Sequence, residues 1–316
     1  MFSIKIPLTV PVRRQNEYKK NYQQLTNNSG RLFLIAGDQK VEHLNDDFIG
    51  RGISPEDGDP EHLFKIAAAS TGGVLATQLG LIARYGHNYR HIPYIVKVNS
   101  KSNLGENSEK DSSQSWWSVG EIVNFKKESG LKIVGIGYTV YLGGRYEAQM
   151  LAEAAKLTYQ AHQNGLTAII WMYPRGKNIK EENIHTIAGG AGVAATLGAD
   201  FVKLKYPYKA PNQKNIAKKF QEVIAAAGRT KVVCLGGEKK TVQELLNDLE
   251  NQVKISGSAG LAVGRNLHQR SLAEASRLAR ALGAIIFNST SATAAFKIYS
   301  QVKSTPVKKN KFLGLF

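Results

Sequence analysis

The chain has 316 residues, of which 42% are apolar, 9% aromatic and 21% charged, a composition that excludes disordered and fibrous proteins and can bury a sizeable core. A single cysteine, Cys234, excludes an internal disulfide or a multi-cysteine metal site and fits a reducing cytoplasm. Lys and Arg total 42 against 25 Asp and Glu, and the formal net charge of +17 suits nucleic acid, anionic lipid or phosphorylated substrates without choosing among them.

In chain order, the opening MFSIKIPLTVPVRR is interrupted by Lys5, Pro7 and Pro11, so no secretion signal is expected, and no later stretch is apolar enough to suggest a membrane span. Residues 1–30 read as an N-terminal extension whose basic run, 13–20, would be a solvated tail. Eight short apolar, β-branched runs follow: 31–38 (RLFLIAGD), 73–78, 94–99 (YIVKVN), 133–138, 167–173 (TAIIWMY), 200–206 (DFVKLKY), 231–236 (KVVCLG) and 260–265 (GLAVGR). Between them lie long loops at 44–60 and 100–118 and helical periods at 144–164, 211–227 and 241–256, stopped by Gly165, Gly228 and Gly257, the last opening on Thr241 as a cap. Eight strands with intervening helices predict an α/β protein, a single (β/α)8 TIM barrel over residues 31–303, rather than an open doubly wound sheet. Residues 304–316 read as a basic C-terminal tail.

In such a barrel the chemistry sits at the carboxyl ends of the strands. That rule selects Asp38, Glu42 and His43 after strand one, Lys97 and Asn99 on strand three, and Tyr138 and Tyr141 around strand four. On later strands it selects Trp171, Tyr173 and Arg175, then Lys203 and Lys205, and finally Gly236, Gly237, Gly264, Arg265 and Asn266. Strand alternation puts Phe201, Lys203 and Lys205 on one face, so two ammonium groups are expected together in or at the mouth of the barrel. Like charges in a confined site depress each other's pKa, and a neutral lysine can attack a carbonyl to form a Schiff base. The turns LGGEKK (235–240) and VGRN (263–266) stand where barrel enzymes often build a phosphate site from backbone N–H groups.

Other patterns are set aside. Gly190, Gly192 and Ala195 satisfy G-x-G-x-x-A, but late in a helical stretch rather than after a strand. His87 and His91 lie in a Gly- and Pro-containing loop without an accompanying glutamate, so no metal site is expected, and Cys234 belongs to a core strand.

LIAGDQKVEH (34–43), YIVKVN (94–99), VGIGYTVYLGGRYE (134–147), IIWMYPRG (169–176), GADFVKLKYP (198–207), LGGEKK (235–240) and GLAVGRN (260–266) together resemble the archaeal-type class I fructose-1,6-bisphosphate aldolases. The resemblance implies that Lys203 forms the Schiff base with Lys205 as a neighbour, that Tyr173 transfers protons, and that Asp38 positions or protonates substrate oxygens. It implies that Trp171, Arg175 and Lys97 contact substrate, and that Gly236, Gly237, Gly264 and Arg265 hold the C1 phosphate. Lys40 and Glu238 stand where the family pattern usually has glycine and proline. The implied reaction is reversible cleavage of fructose 1,6-bisphosphate to dihydroxyacetone phosphate and glyceraldehyde 3-phosphate, with no metal or organic cofactor. The expected partner is a small phosphorylated sugar, with no membrane or nucleic acid, in a cytoplasmic homo-oligomer. Two alternatives stay open: another Schiff-base phosphoketose lyase or synthase of the heptulosonate synthase type, and a non-catalytic basic barrel that binds phosphate or nucleic acid.

Overall fold

A computed structural model describes residues 3–104, 111–176, 179–208 and 213–301; the expected basic tail, 304–316, lies outside them. Eight parallel strands, β1 (Leu32–Ala36), β2 (Gly73–Gln78), β3 (Tyr94–Lys97), β4 (Ile133–Leu142), β5 (Thr167–Pro174), β6 (Phe201–Leu204), β7 (Lys231–Leu235) and β8 (Gly260–Val263), close into one barrel. Each strand pairs with its neighbours in sequence, and β1 closes the ring against β8 with Leu34 opposite Ala262. The expected (β/α)8 architecture is the observed one.

Alternation along the strands splits the apolar residues between two layers. Leu34, Ala76, Ile95, Ile169, Trp171, Phe201, Val233 and Ala262 fill the barrel interior, while Phe33, Ile35, Ile170, Met172, Val202 and Leu204 pack outward against the helices. The helices start where side chains can satisfy their first N–H groups: Ser118 with Glu121, and Thr241 with Glu244, form reciprocal capping boxes.

Several expectations are corrected. The basic run 13–20 is not a solvated tail, because helix Gln15–Leu25 buries Tyr18, Tyr22 and Leu25 against the inner layer and closes the amino-terminal end of the barrel. β4 continues past Tyr138, its Thr139–Leu142 pairing with Trp171–Pro174 of β5. Five strands end earlier than expected, at Ala36, Lys97, Leu204, Leu235 and Val263, so Asp38, Lys205, Gly236 and Arg265 lie just beyond them. The loop after β3 is partly ordered by Asn99–Ser100 pairing antiparallel with Gln114–Ser115. The helix expected over 144–164 begins at Glu147, the described part of 211–227 is broken into Gln213–Lys219 and Gln221–Ala227, and the helix opened by Thr241 finishes in a π-helical turn, Gln252–Ser256.

Candidate active site

The carboxyl ends of the strands surround a cavity of about 800 Å³. Asp38, Tyr173, Arg175, Lys203, Lys205, Gly236, Gly237, Gly264 and Arg265 all line it. Lys97 and Trp171 are fully buried beneath its floor. Their register explains the arrangement. Trp171 is directly opposite Lys203 across β5 and β6, and its ring lies 4.9 Å from the Lys203 Nζ and 5.6 Å from the Lys97 Nζ. The indole fits because β4 offers no side chain there: a Cβ on Gly137 would stand 2.3 Å from the Trp171 ring.

Lys203 is 4% exposed, and no described residue accepts a hydrogen bond from its amine. Burial lowers its pKa, against the pull of Asp38 and Glu42. Lys97 is also lowered, by burial and by the charge of Lys203; its Nζ donates to the Asn99 carbonyl (2.7 Å) and side-chain oxygen (3.0 Å). The sequence expectation is thereby corrected: the like-charged neighbour of Lys203 is Lys97, from β3, and not Lys205. Lys205 lies at the rim, its Nζ 3.3 Å from both Glu181 Oε2 and Glu182 Oε1. It shares the cavity with Lys203 but is neutralised by two carboxylates that no strand pattern could reveal.

Opposite the lysines stand two carboxyl groups. Asp38 is 2% exposed and its Oδ1 has no partner among the described residues, a buried acceptor in a residue of the cavity wall. Glu42 follows on the single helical turn Gln39–Glu42, where burial and then the charge of Asp38 hold its carboxyl above the usual range against Lys97, Lys203 and His43. Strand-end reasoning named Glu42 but gave it no part. The signal was its spacing from Asp38, which returns the side chain to the same side after one turn.

Tyr173 stacks on Tyr141 with ring centroids 6.0 Å apart, brought there by the unforeseen extension of β4. Burial, Asp38 and Glu42 drive the Tyr173 phenol well above its ordinary pKa, so it holds its proton at neutral pH. The Arg175 guanidinium covers both rings, 4.9 Å from Tyr141 and 5.5 Å from Tyr173.

The two glycine turns are joined by Asn266, whose Nδ2 donates to the carbonyls of Gly236 (3.1 Å) and Glu238 (2.8 Å) while its Oδ1 accepts from Lys240 N–H (2.9 Å). The Gly236 N–H itself donates to Ala262 O at 2.8 Å. Gly237 has φ +73°, a left-handed conformation that suits glycine. Arg265 begins the turn Arg265–His268, with Nε 3.8 Å from Asp47 Oδ2, and Asp47 is itself bound by His43 Nδ1 at 2.5 Å. Cys234 is buried in β7 with its thiol pushed up to about 12, in keeping with a core role.

Fold and cavity define the class: a (β/α)8 barrel with a buried lysine at the floor of its carboxyl-end cavity. The chain belongs to the DeoC/LacD family of aldolases, whose model matches residues 32–270. It is 51% identical over 297 residues to the fructose-bisphosphate aldolase/6-deoxy-5-ketofructose 1-phosphate synthase of Methanocaldococcus jannaschii, covering 94% of both chains. Among solved structures, a fructose-bisphosphate aldolase from Slackia heliotrinireducens superposes with a TM-score of 0.90 at 46% identity over 94% of each chain. An archaeal fructose-1,6-bisphosphate aldolase whose catalytic Lys is covalently bound to the carbinolamine intermediate of the substrate superposes with a TM-score of 0.72 at 30% identity, over 85% of this chain and 99% of that one.

Proposed function

We propose that this chain is a class I aldolase that cleaves fructose 1,6-bisphosphate reversibly to dihydroxyacetone phosphate and glyceraldehyde 3-phosphate through an imine on Lys203, as in glycolysis and gluconeogenesis. The observation that carries the reading is the Lys203 amine itself: buried, without a hydrogen-bond acceptor among the described residues, lowered in pKa by burial and open to a cavity that could hold a sugar phosphate.

The neutral amine attacks C2 of the ketose, and the Tyr173 phenol gives its proton to the departing C2 oxygen so that water leaves, giving a protonated imine and a phenolate. The imine draws in the electrons of the C3–C4 bond as the C4 hydroxyl loses its proton to the Tyr173 phenolate and the aldehyde departs. The remaining enamine takes a proton at C3, and water then releases dihydroxyacetone phosphate. In the condensing direction Tyr173, a protonated phenol, donates to the oxygen that develops at C4, and cleavage returns that proton by the same path. Asp38 Oδ1 accepts from substrate hydroxyls, and Trp171 with Lys97 supports Lys203 from below. Gly237, Gly264 and Arg265 hold the C1 phosphate, with Gly236 shaping the turn. Because the imine is the electron sink, the mechanism assigns no cofactor.

The 6-deoxy-5-ketofructose 1-phosphate synthase activity named for the Methanocaldococcus jannaschii relative is a second reading of the same site, favoured by the neutralised rim around Lys205. Its named product carries a phosphate at position 1, which suits the same glycine turns. We also read the chain as a cytoplasmic homo-oligomer, which sedimentation equilibrium checks.

Borohydride in the presence of dihydroxyacetone phosphate tests the mechanism. Irreversible inactivation with label on Lys203 is expected. Label on Lys205 alone would reverse the two assignments, and label on neither would end the Schiff-base reading.

A further inference from the structure

The barrel order fixes how a ketose would run through the cavity. With C1 at the turns after β7 and β8, C2 at Lys203 of β6 and C4 at Tyr173 of β5, the carbons beyond C4 must approach the residues that follow β5 and β6. Those residues are Arg175, Glu181, Glu182 and Lys205, all lining the cavity. They form a closed charge set: Lys205 Nζ is 3.3 Å from each glutamate, and Arg175 Nε is 3.8 Å from Glu181 Oε1. Among these four side chains two cations meet two carboxylates, so neither cation is offered to a phosphate without a carboxylate to displace.

The turn after β7 differs. The ammonium of Lys239 is bound only to neutral carbonyls, those of Gly52 (2.6 Å) and Gln269 (3.0 Å), and keeps its charge uncompensated by these contacts, with Glu238 exposed beside it. The turn after β7 thus offers a dianion one ammonium with no carboxylate partner among the described residues, although Arg265 and Lys240 beside it are paired with Asp47 and Asp248, whereas at the other end both cations are already held by carboxylates with which a phosphate would have to compete.

We propose that Glu181 and Glu182 are specificity-determining residues, holding Lys205 and Arg175 so that the far end of the substrate is accepted without a phosphate more readily than with one. The inference rests on the aldolase reading of the cavity. Each of the four side chains is between 35% and 42% exposed, so these are solvent-screened pairs that a ligand can displace, and their effect is a bias rather than a block.

The test compares fructose 1,6-bisphosphate with fructose 1-phosphate, which lacks only the far phosphate, at low ionic strength. In the Glu181→Gln/Glu182→Gln double variant the ratio of kcat/KM for the bisphosphate to that for the monophosphate is expected to rise on the order of two- to five-fold, through a lower KM for the bisphosphate. Lys205→Met should move the ratio the other way, and it serves as the decisive variant if the double one fails to fold. A ratio unchanged or lowered in the double variant, or unchanged in Lys205→Met, overturns the proposal. Borohydride trapping on Lys203 in the unaltered protein separates the two levels: if trapping fails, the aldolase reading has failed, and if trapping succeeds while the ratio stays fixed, only the role of the glutamates has.

Discussion

The two ends of the barrel treat buried polar groups in opposite ways. At the amino-terminal end, Asp200 accepts from the Tyr18 hydroxyl of the closing helix, lies 3.1 Å from His162 Nε2 and accepts from Ala168 N–H at 2.8 Å, while Thr9 Oγ1 meets His162 Nδ1 at 2.6 Å. Every member has a partner, and the network ties residues 9 and 18 to the floor. At the carboxyl end, Lys203, Asp38 Oδ1 and the Trp171 Nε1 have no hydrogen-bond partner among the described residues. A satisfied network stabilises a unique structure, whereas an unsatisfied one keeps free energy available for a ligand. The amino-terminal end should therefore answer to mutation in stability, and the carboxyl-end cavity in activity.

The largest expected separation comes from Lys203→Met. Cleavage should fall roughly 10,000-fold or more, because the proposed nucleophile is gone. Stability should hold or rise. A lysine whose folded pKa lies below its unfolded value destabilises the fold while both states are protonated, and this penalty fades as pH rises from the folded pKa towards 10.5. Thermal unfolding of the two proteins near pH 7 checks it, and a markedly lower Tm for the variant would break the comparison.

Asp200→Ala should do the reverse. Leaving Tyr18, His162 and Ala168 N–H without their acceptor should cost about 3 kcal/mol, lowering Tm on the order of 5–10 °C, with the kcat of the surviving folded fraction little changed. Tyr173→Phe should reduce turnover about 100-fold, about 2.7 kcal/mol, while borohydride still traps a measurable amount of imine, since solvent can replace the phenol as proton donor for loss of water but not as base at the C4 hydroxyl. Arg265→Ala should lower kcat/KM for C1-phosphorylated ketoses about 10-fold, about 1.5 kcal/mol, and much less for a ketose lacking that phosphate; equal losses would make Arg265 structural. EDTA should change nothing, and activity lost to it and restored by zinc would move the electron sink from the imine to a metal.

The same division shows what a linear sequence can reveal. β5 and β6 were legible because each is a short apolar run whose carboxyl end can be read with no knowledge of neighbours, which selects Trp171 and Tyr173 on one and Lys203 on the other. The capping pair Thr241 and Glu244 was half visible, for the same local reason. Lys97 beside Lys203 was not, because β3 and β6 are not adjacent strands and meet only across the closed barrel. Nor was the pairing of Lys205, whose partners lie in the 176–183 segment, where no period constrains direction. The helix Gln15–Leu25 was read as a tail because Tyr18, Tyr22 and Leu25 stand among Gln, Asn and Lys; their common face has meaning only against the open end of a barrel.

The pairing of Trp171 with Gly137 also gives the protein an internal optical probe. An indole held in a dry slot, with an ammonium 4.9 Å from its ring, has an emission energy and yield that respond to that charge. Trp116 is 46% exposed and Trp117 only partly covered, so Trp171 is the one fully buried indole of the three. Deprotonation of Lys203, and its conversion to a cationic imine, would each alter the local field across that ring, so progress of the reaction at one amine can be followed in the ultraviolet without a label.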